Sequence, residues 1–245
     1  MEITNPDDNY LYFSIVIPAH NEENYIDKTI QSIKKLDYPR KKIEVIIIEN
    51  GSKDKTMEIT RQLSPEWFKV LSISEANVSK AKNIGIDHID PNADWVIFLD
   101  ADTYFEKGFL IELNRFLFEN RNNHLGCGMV SLLPSPDSLS ARCWYRFYNF
   151  ANFIVRTTRS IQIIRSDLLL IQGLRFDEFL SFDEDTYLLR QCIARSRYFF
   201  MKTNKVFSST RRFVKNGWVR QLIEWIYFAS SSYEKKRQIR YKVLR

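Results

Sequence analysis

Four apolar runs constrain this chain more than any other feature. They are Tyr12-Phe-Ser-Ile-Val-Ile17, Ile43-Glu-Val-Ile-Ile-Ile48, Phe68-Lys-Val-Leu-Ser-Ile73 and Trp95-Val-Ile-Phe-Leu99. Each has the length of a strand, and none shows a clean alternation, which is the pattern of strands buried on both faces. Stretches of helical character separate them. Ile26, Ile30, Ile33 and Leu36 fall at helical spacing, 53–63 follows the second run, and Ser79 to Ile86 follows the third. Such alternation predicts a parallel sheet covered on both sides. Ligands of these sheets bind at the carboxyl ends of the strands. Three polar clusters fall there: residues 18–23, Glu49-Asn-Gly-Ser52 and Asp100-Ala-Asp102.

Asn21 is positioned to cap the first helix, with Glu22 and Glu23 in its first turn, where the helix dipole favours acids. Asp100 and Asp102 are one residue apart, so in an extended chain they point to the same side. Two such carboxylates can share a hard divalent cation, or they can simply close a solvated turn. Beyond Thr103 the pattern loosens. A helix is expected from Gly108 to Glu119, a strand over 127–132, a loop over 133–138 and a short strand over 161–164. A further helix should open at Phe182-Asp-Glu-Asp185, an edge strand should occupy 198–201, and a last helix 217–230. Residues 140–155 are unusually aromatic.

Composition narrows the function classes. The three cysteines, Cys127, Cys143 and Cys192, form no paired framework and no CxxC, which points to free thiols in a reducing compartment. His20, His88 and His124 are scattered, against a zinc site. The opening residues 1–8 are polar and acidic, unlike a secretory leader. The expectation is a cytoplasmic protein, or one held on the inner face of a membrane. The charge is uneven. Ser209 to Arg245 carries ten Lys/Arg against two Glu, and the remainder is slightly acidic. A basic tail suits an anionic surface. No nucleic-acid module accompanies it, so no nucleic-acid partner is expected.

Five segments, in order, carry a resemblance. They are Ser14-Ile-Val-Ile-Pro-Ala-His-Asn-Glu22, Ile48-Glu-Asn-Gly-Ser52, Ala81-Lys-Asn-Ile-Gly85, Phe98-Leu-Asp-Ala-Asp102, and Phe176-Asp-Glu178 followed by Glu184-Asp-Thr-Tyr-Leu188 and Arg190. Together they resemble an inverting family 2 glycosyltransferase over about residues 12–215. The resemblance implies a GT-A fold: α/β, Rossmann-like, three-layer α/β/α with a central mostly parallel sheet. It also implies a metal-dependent transfer of a sugar from a nucleotide-diphospho-sugar, a UDP- or GDP-sugar, to a hydroxyl of a glycan or lipid-linked acceptor. By the same resemblance the donor nucleotide lies against Pro18, Ala19, Asn21, Glu22, Glu49, Asn50 and Ser52, with Lys82 and Asp100 beside it. Asp102, with Asp100, would hold Mn²⁺ or Mg²⁺. Asp185 would be the general base, with Glu184 as the alternative. Arg211 or Arg212 would clamp the diphosphate, or else pack the last helix. Two departures stand out: Glu49-Asn50 replaces the usual acidic pair, and Gly173-Leu-Arg175 precedes Phe176 in place of two glycines.

Two rivals remain open. A sugar-phosphate nucleotidyltransferase shares the sheet and the acidic pair, but should carry a glycine-rich loop after the first strand. A non-catalytic nucleotide-sugar or nucleic-acid binding protein would use the basic tail. The chain is expected to divide into a catalytic domain, 1–215, and a basic amphipathic helix and tail, 216–245. Trp218, Leu222, Trp225, Ile226 and Tyr227 of that helix either touch a membrane surface or pack on the domain.

Overall fold

The computed structural model describes residues 10–158, 160–180 and 183–218, and beyond these 220, 221, 223, 227, 233 and 234. A seven-stranded sheet forms its middle layer. The apolar runs become β1 (Phe13–Ala19), β2 (Ile43–Asn50), β3 (Phe68–Ile73) and β4 (Trp95–Leu99). They are parallel, in the order β3-β2-β1-β4. β1 and β2 are buried at every position, which explains their largely apolar character. Pro18 lacks an N–H, yet it does not stop β1. It pairs in register with Ile48. β4 has already parted from β1 after Val16, so Pro18 has no second neighbour to serve.

Helices α1 (Ile26–Lys34), α2 (Thr56–Leu63) and α3 (Val78–Asp87) connect these strands. α1 packs Ile26, Ile30 and Ile33 on one face of the sheet, and α3 packs Ala81 and Ile86 on the other. Gly85 permits the close approach of α3, because a Cβ there would collide with the Val16 side chain. Asn77 caps α3, accepting from Lys80 N at 3.0 Å. Asn21 does not cap α1. The helix begins at Ile26, and Asn21 sits in the preceding turn at φ 51°, a left-handed conformation that Asn tolerates. Glu22 and Glu23 therefore precede the helix.

The second half of the sheet is mixed. β8 (Ile161–Arg165) runs antiparallel between β4 and β6 (Leu125–Val130), and β9 (Arg197–Met201) lies at the edge, parallel to β6. Helices α4 (Phe109–Glu119) and α5 (Leu139–Val155) join the α1 face, while α6 (Ser166–Leu170) and α7 (Glu184–Ile193) join the α3 face. A second, three-stranded sheet joins β5 (Thr103–Phe105), β10 (Val206–Ser209) and β7 (Leu133–Ser135). β7 corrects the loop expected from its Pro and Ser content. Only its pairing with β10 makes it a strand. The aromatic stretch is α5, capped by Ser138, whose Oγ accepts from Ala141 N at 3.2 Å. α8 (Arg211–Asn216) ends at Gly217, φ 82°. The helix expected over 217–230 lies largely outside the described residues, as does most of 216–245. No described helix is long and apolar enough to cross a membrane.

Candidate active site

Two loops meet at the carboxyl ends of β1 and β2, and side chains lace them together. Asn21 N donates to Ser52 Oγ at 3.0 Å, Glu22 N to Thr56 Oγ1 at 2.6 Å, and Glu23 N to Asp54 Oδ2 at 3.2 Å. Bonds also return, from Lys53 N to Asn21 Oδ1 at 2.8 Å and from Lys55 N to Glu23 Oε2 at 3.1 Å. His20 Nδ1 lies 2.6 Å from the Asn50 carbonyl. A carbonyl only accepts, so that nitrogen carries the proton. Glu49 and Asn50 are buried. Glu49 Oε1 accepts from Ser52 N, and Asn50 Oδ1 accepts from Asn77 N at 2.8 Å. Both side chains thus hold loop backbone, and Pro18 and Ala19, at the end of β1, are buried.

Asp100 and Asp102 emerge from the end of β4, beside these loops. The turn is fixed by Asp100 N donating to the Ser160 carbonyl at 2.9 Å, and by Thr103 N donating to the Asp100 carbonyl at 3.0 Å. Burial and the neighbouring charge of Asp102 push the Asp100 carboxyl above its ordinary pKa. Asp102 Oδ2 lies 3.0 Å from Arg211 Nη2. The same guanidinium donates to both oxygens of Glu22 at 2.6 Å each and lies over the Tyr25 ring. One arginine from α8 therefore ties the first loop to the β4 carboxylates, with the bidentate geometry that guanidinium favours. The positive field of Arg212 also reaches Asp100.

On the other side of Asp100 stands Lys82. Helix α3 buries it to 3% exposure, and its Nζ lies 3.0 Å from Glu184 Oε1 and 2.5 Å from Asp185 Oδ1. The Phe176 ring lies beneath it. Burial works against the lysine's charge, but Asp185, Glu184 and Asp100 outweigh it and hold Lys82 charged. Three carboxylates around one ammonium leave an excess of negative charge. Burial pushes Asp185 up to about 7; Lys82 pulls the other way, while Glu184 and Asp100 add to the rise. Such a value suits a group that must take a proton near neutrality. Asp183 precedes them at φ 67°, so the acidic run is a tight helix entry as well as a charge cluster.

A cleft lies between these groups, lined by Lys82, Phe98, Asp100, Ser160, Ile161, Gln162 and Asp185. Gln162 gave no signal in the sequence, where it is one polar residue in a short apolar strand. Its Nε2 donates to the Asp185 carbonyl at 3.1 Å, and its Oε1 is buried without a hydrogen-bond partner. Because the Asp185 carbonyl can only accept, the amide orientation is fixed. Tyr25 and Ser160 were equally invisible in the sequence.

The residues present fit a divalent cation. Asp100 and Asp102 offer only oxygen ligands, and their mutual repulsion is relieved by a positive charge between them. Among the described residues no three His, Cys, Asp or Glu gather into a closed metal cage, so further ligands would come from phosphate and water.

Comparison with known proteins agrees with this geometry. The model of glycosyl transferase family 2 matches residues 14–162. Poly(ribitol-phosphate) beta-N-acetylglucosaminyltransferase TarS of Staphylococcus aureus is 24% identical over 206 residues, covering 82% of this chain and 36% of that protein. Minor teichoic acid biosynthesis protein GgaA of Bacillus subtilis is 24% identical over 217 residues, 78% of this chain and 47% of its own. The chain thus spans less than half the length of these relatives. Among solved structures, S. aureus TarS with UDP-GlcNAc superposes with a TM-score of 0.66 at 20% identity, covering 81% of this chain and 58% of that one. The mannosyltransferase PcManGT of Pyrobaculum calidifontis, with GDP-Man and Mn²⁺, gives 0.62 at 17% identity, covering 93% and 67%.

Proposed function

The chain belongs to glycosyl transferase family 2, and from that premise we propose that it transfers a sugar from a nucleotide-diphospho-sugar to an acceptor hydroxyl, with inversion. One observation carries the proposal. Asp100 and the Asp185 carboxylate line one cleft on either side of buried Lys82, and Asp102 lies next to Asp100, close enough to raise its pKa. That is one acidic pair to hold a leaving group and a separate base with a raised pKa.

The donor nucleotide would lie on the laced loops, against Pro18, Ala19, Asn21, Glu22, Glu49, Asn50 and Ser52. Because Glu49 and Asn50 already serve the loop backbone, they would shape the base pocket more than contact it. Asp102, with Asp100, would hold Mn²⁺ or Mg²⁺, which neutralises charge on the departing diphosphate. Arg211 and Arg212 would add positive charge on the same side. Asp185, held by Lys82 and flanked by Glu184, removes the proton of the acceptor hydroxyl. That oxygen then bonds to the anomeric carbon as the bond to the diphosphate breaks on the opposite face. One displacement inverts the centre. Gln162 Oε1 would accept from a substrate hydroxyl in the cleft.

The donor is a UDP- or GDP-sugar. The acceptor is a glycan or lipid-linked saccharide; TarS is by name a poly(ribitol-phosphate) glycosyltransferase. The basic balance of residues 209–245 supports a place in the cytoplasm against the inner membrane face, reached through segment 216–245. The test is a screen of UDP-, GDP- and dTDP-sugars for Mn²⁺-dependent thermal stabilisation, followed by a transfer assay. Stabilisation by one donor is expected, because a ligand bound only by the folded state raises its stability. The proposal falls if no nucleotide sugar binds and Asp102→Ala leaves metal binding unchanged.

A further inference from the structure

Helix α5 is apolar on two opposite faces. Its inner face, Ala141, Tyr145, Tyr148 and Asn152, is buried. Two positions on, the same spacing recurs at Cys143, Phe147, Phe150 and Ile154, and these four face solvent. Phe150 is 64% exposed and Ile154 59%. Phe153 and Val155 extend the exposed patch. A helix of a water-soluble domain normally turns a polar face outward, and a contiguous exposed apolar patch marks a contact surface.

The charges around the patch say what covers it. Residues 138–158 contain no Asp or Glu, while Arg142, Arg146 and Arg156 are exposed along the same helix. Arg142 is paired with Asp137. A two-fold contact between copies would bring this same basic face against itself, and the like charges would repel. The chain's own tail is no better matched, since residues 209–245 are also basic. Exposed aromatic and aliphatic side chains set among arginines are the composition of a helix lying in a lipid interface.

We infer that the outer face of α5 docks on an anionic phospholipid surface, with Phe147, Phe150 and Ile154 inserted below the headgroups and Arg146 and Arg156 among them. The helix lies on the bilayer; it is too polar and too short to span it. The placement has a consequence. α5 ends at Val155, and Ser160, a few residues on, lines the cleft and accepts from Asp100 N. Docking would hold at the membrane the segment that leads from α5 into the cleft lining, on the surface from which a lipid-linked acceptor would come. That consequence rests on the transfer proposal; docking itself does not.

The experiment is flotation of the full chain with phosphatidylcholine vesicles, with and without phosphatidylglycerol. Binding to the mixed vesicles alone is expected, with release by salt as charges are screened. Phe150→Ser with Ile154→Ser should weaken it at least about tenfold, and Arg146→Glu by about fivefold or more. Both variants should keep the parent's melting temperature and its transfer to a water-soluble acceptor, since these residues face away from core and cleft. Failure of docking with transfer intact separates this inference from the transfer proposal. Docking on α5 is overturned if mixed vesicles do not bind the parent, or if the α5 variants bind as well as the parent. It is equally overturned if the parent is a dimer that Phe150→Ser with Ile154→Ser dissociates, which would assign the face to a second copy.

Discussion

The two parts of the candidate site are built on opposite principles. On the nucleotide side, most polar side chains of the two loops hold backbone: Asn21 and Ser52 serve each other's segment, and Glu49 and Asn50 hold Ser52 and Asn77. On the base side, three carboxylates share one buried lysine, and Gln162 keeps an oxygen with no partner. The first side is satisfied and pre-shaped. The second holds unsettled charge and an unmet acceptor, each costing stability when no ligand is present. A rigid platform beside an electrostatically tense one is what a binding surface next to a reacting centre requires.

The contrast can be broken most sharply at Asp185. Asp185→Asn should keep donor-induced thermal stabilisation and lose about 10² to 10⁴ in kcat, the usual worth of a positioned base. Retained turnover would give the proton transfer to Glu184 or another group.

Next is Lys82→Met, which leaves the carboxylates without their cation. Removing one partner of a buried ion pair costs about 3–5 kcal/mol, read by urea denaturation. Adding Asp185→Asn to that variant should restore part of the loss. If Lys82→Met is as stable as the parent, the base side is not tense.

The pH profile offers a third approach. A base must be deprotonated to act, so kcat/KM should rise with pH through about 7, following Asp185. Lys82 favours the charged carboxylate, so in Lys82→Arg, which keeps the charge, the limb should stay near its place. A limb near the ordinary carboxylate value, about 4, would contradict the burial of Asp185.

On the satisfied side, Asn21→Ala removes the acceptor for Lys53 N and places Ala at positive φ. A loss of about 1–2 kcal/mol is expected, with kcat little changed. Smallest in stability is Gln162→Leu. It deletes an unpartnered oxygen along with one hydrogen bond, so the two effects should cancel to within about 1 kcal/mol in melting experiments. Transfer should nevertheless fall, and an unaffected rate would remove Gln162 from the substrate's contacts.

The halves of the sheet differ in how far they could be read. The parallel half was legible because each strand is a run of apolar residues followed by a helix, and local pattern carries that information. Its polar ends named the edge where the site lies. The mixed half was less legible. β8 and β9 were expected as strands, but the insertion of β8 antiparallel between β4 and β6 is a choice among partners distant in sequence. β7 was missed because Leu133-Pro-Ser135 has no strand character without β10 beside it. The cap assigned to Asn21 failed for a related reason. Its side chain was competed for by Lys53 N from another loop.

By itself the sequence determined the α/β class, the order of the parallel strands and helices, and the residue types at their ends, because burial and helical periodicity are local properties of the chain. It also pointed to Asp100, Asp102 and Asp185 through their motifs. Only the tertiary structure decided what those residues meet. It set Lys82 between Asp185 and Glu184, Arg211 between Glu22 and Asp102, and Gln162 beneath α7. Those pairs join side chains from strands, helices and loops far apart in the chain. Their charges and pKa shifts arise from burial and proximity, and neither exists until the chain has folded.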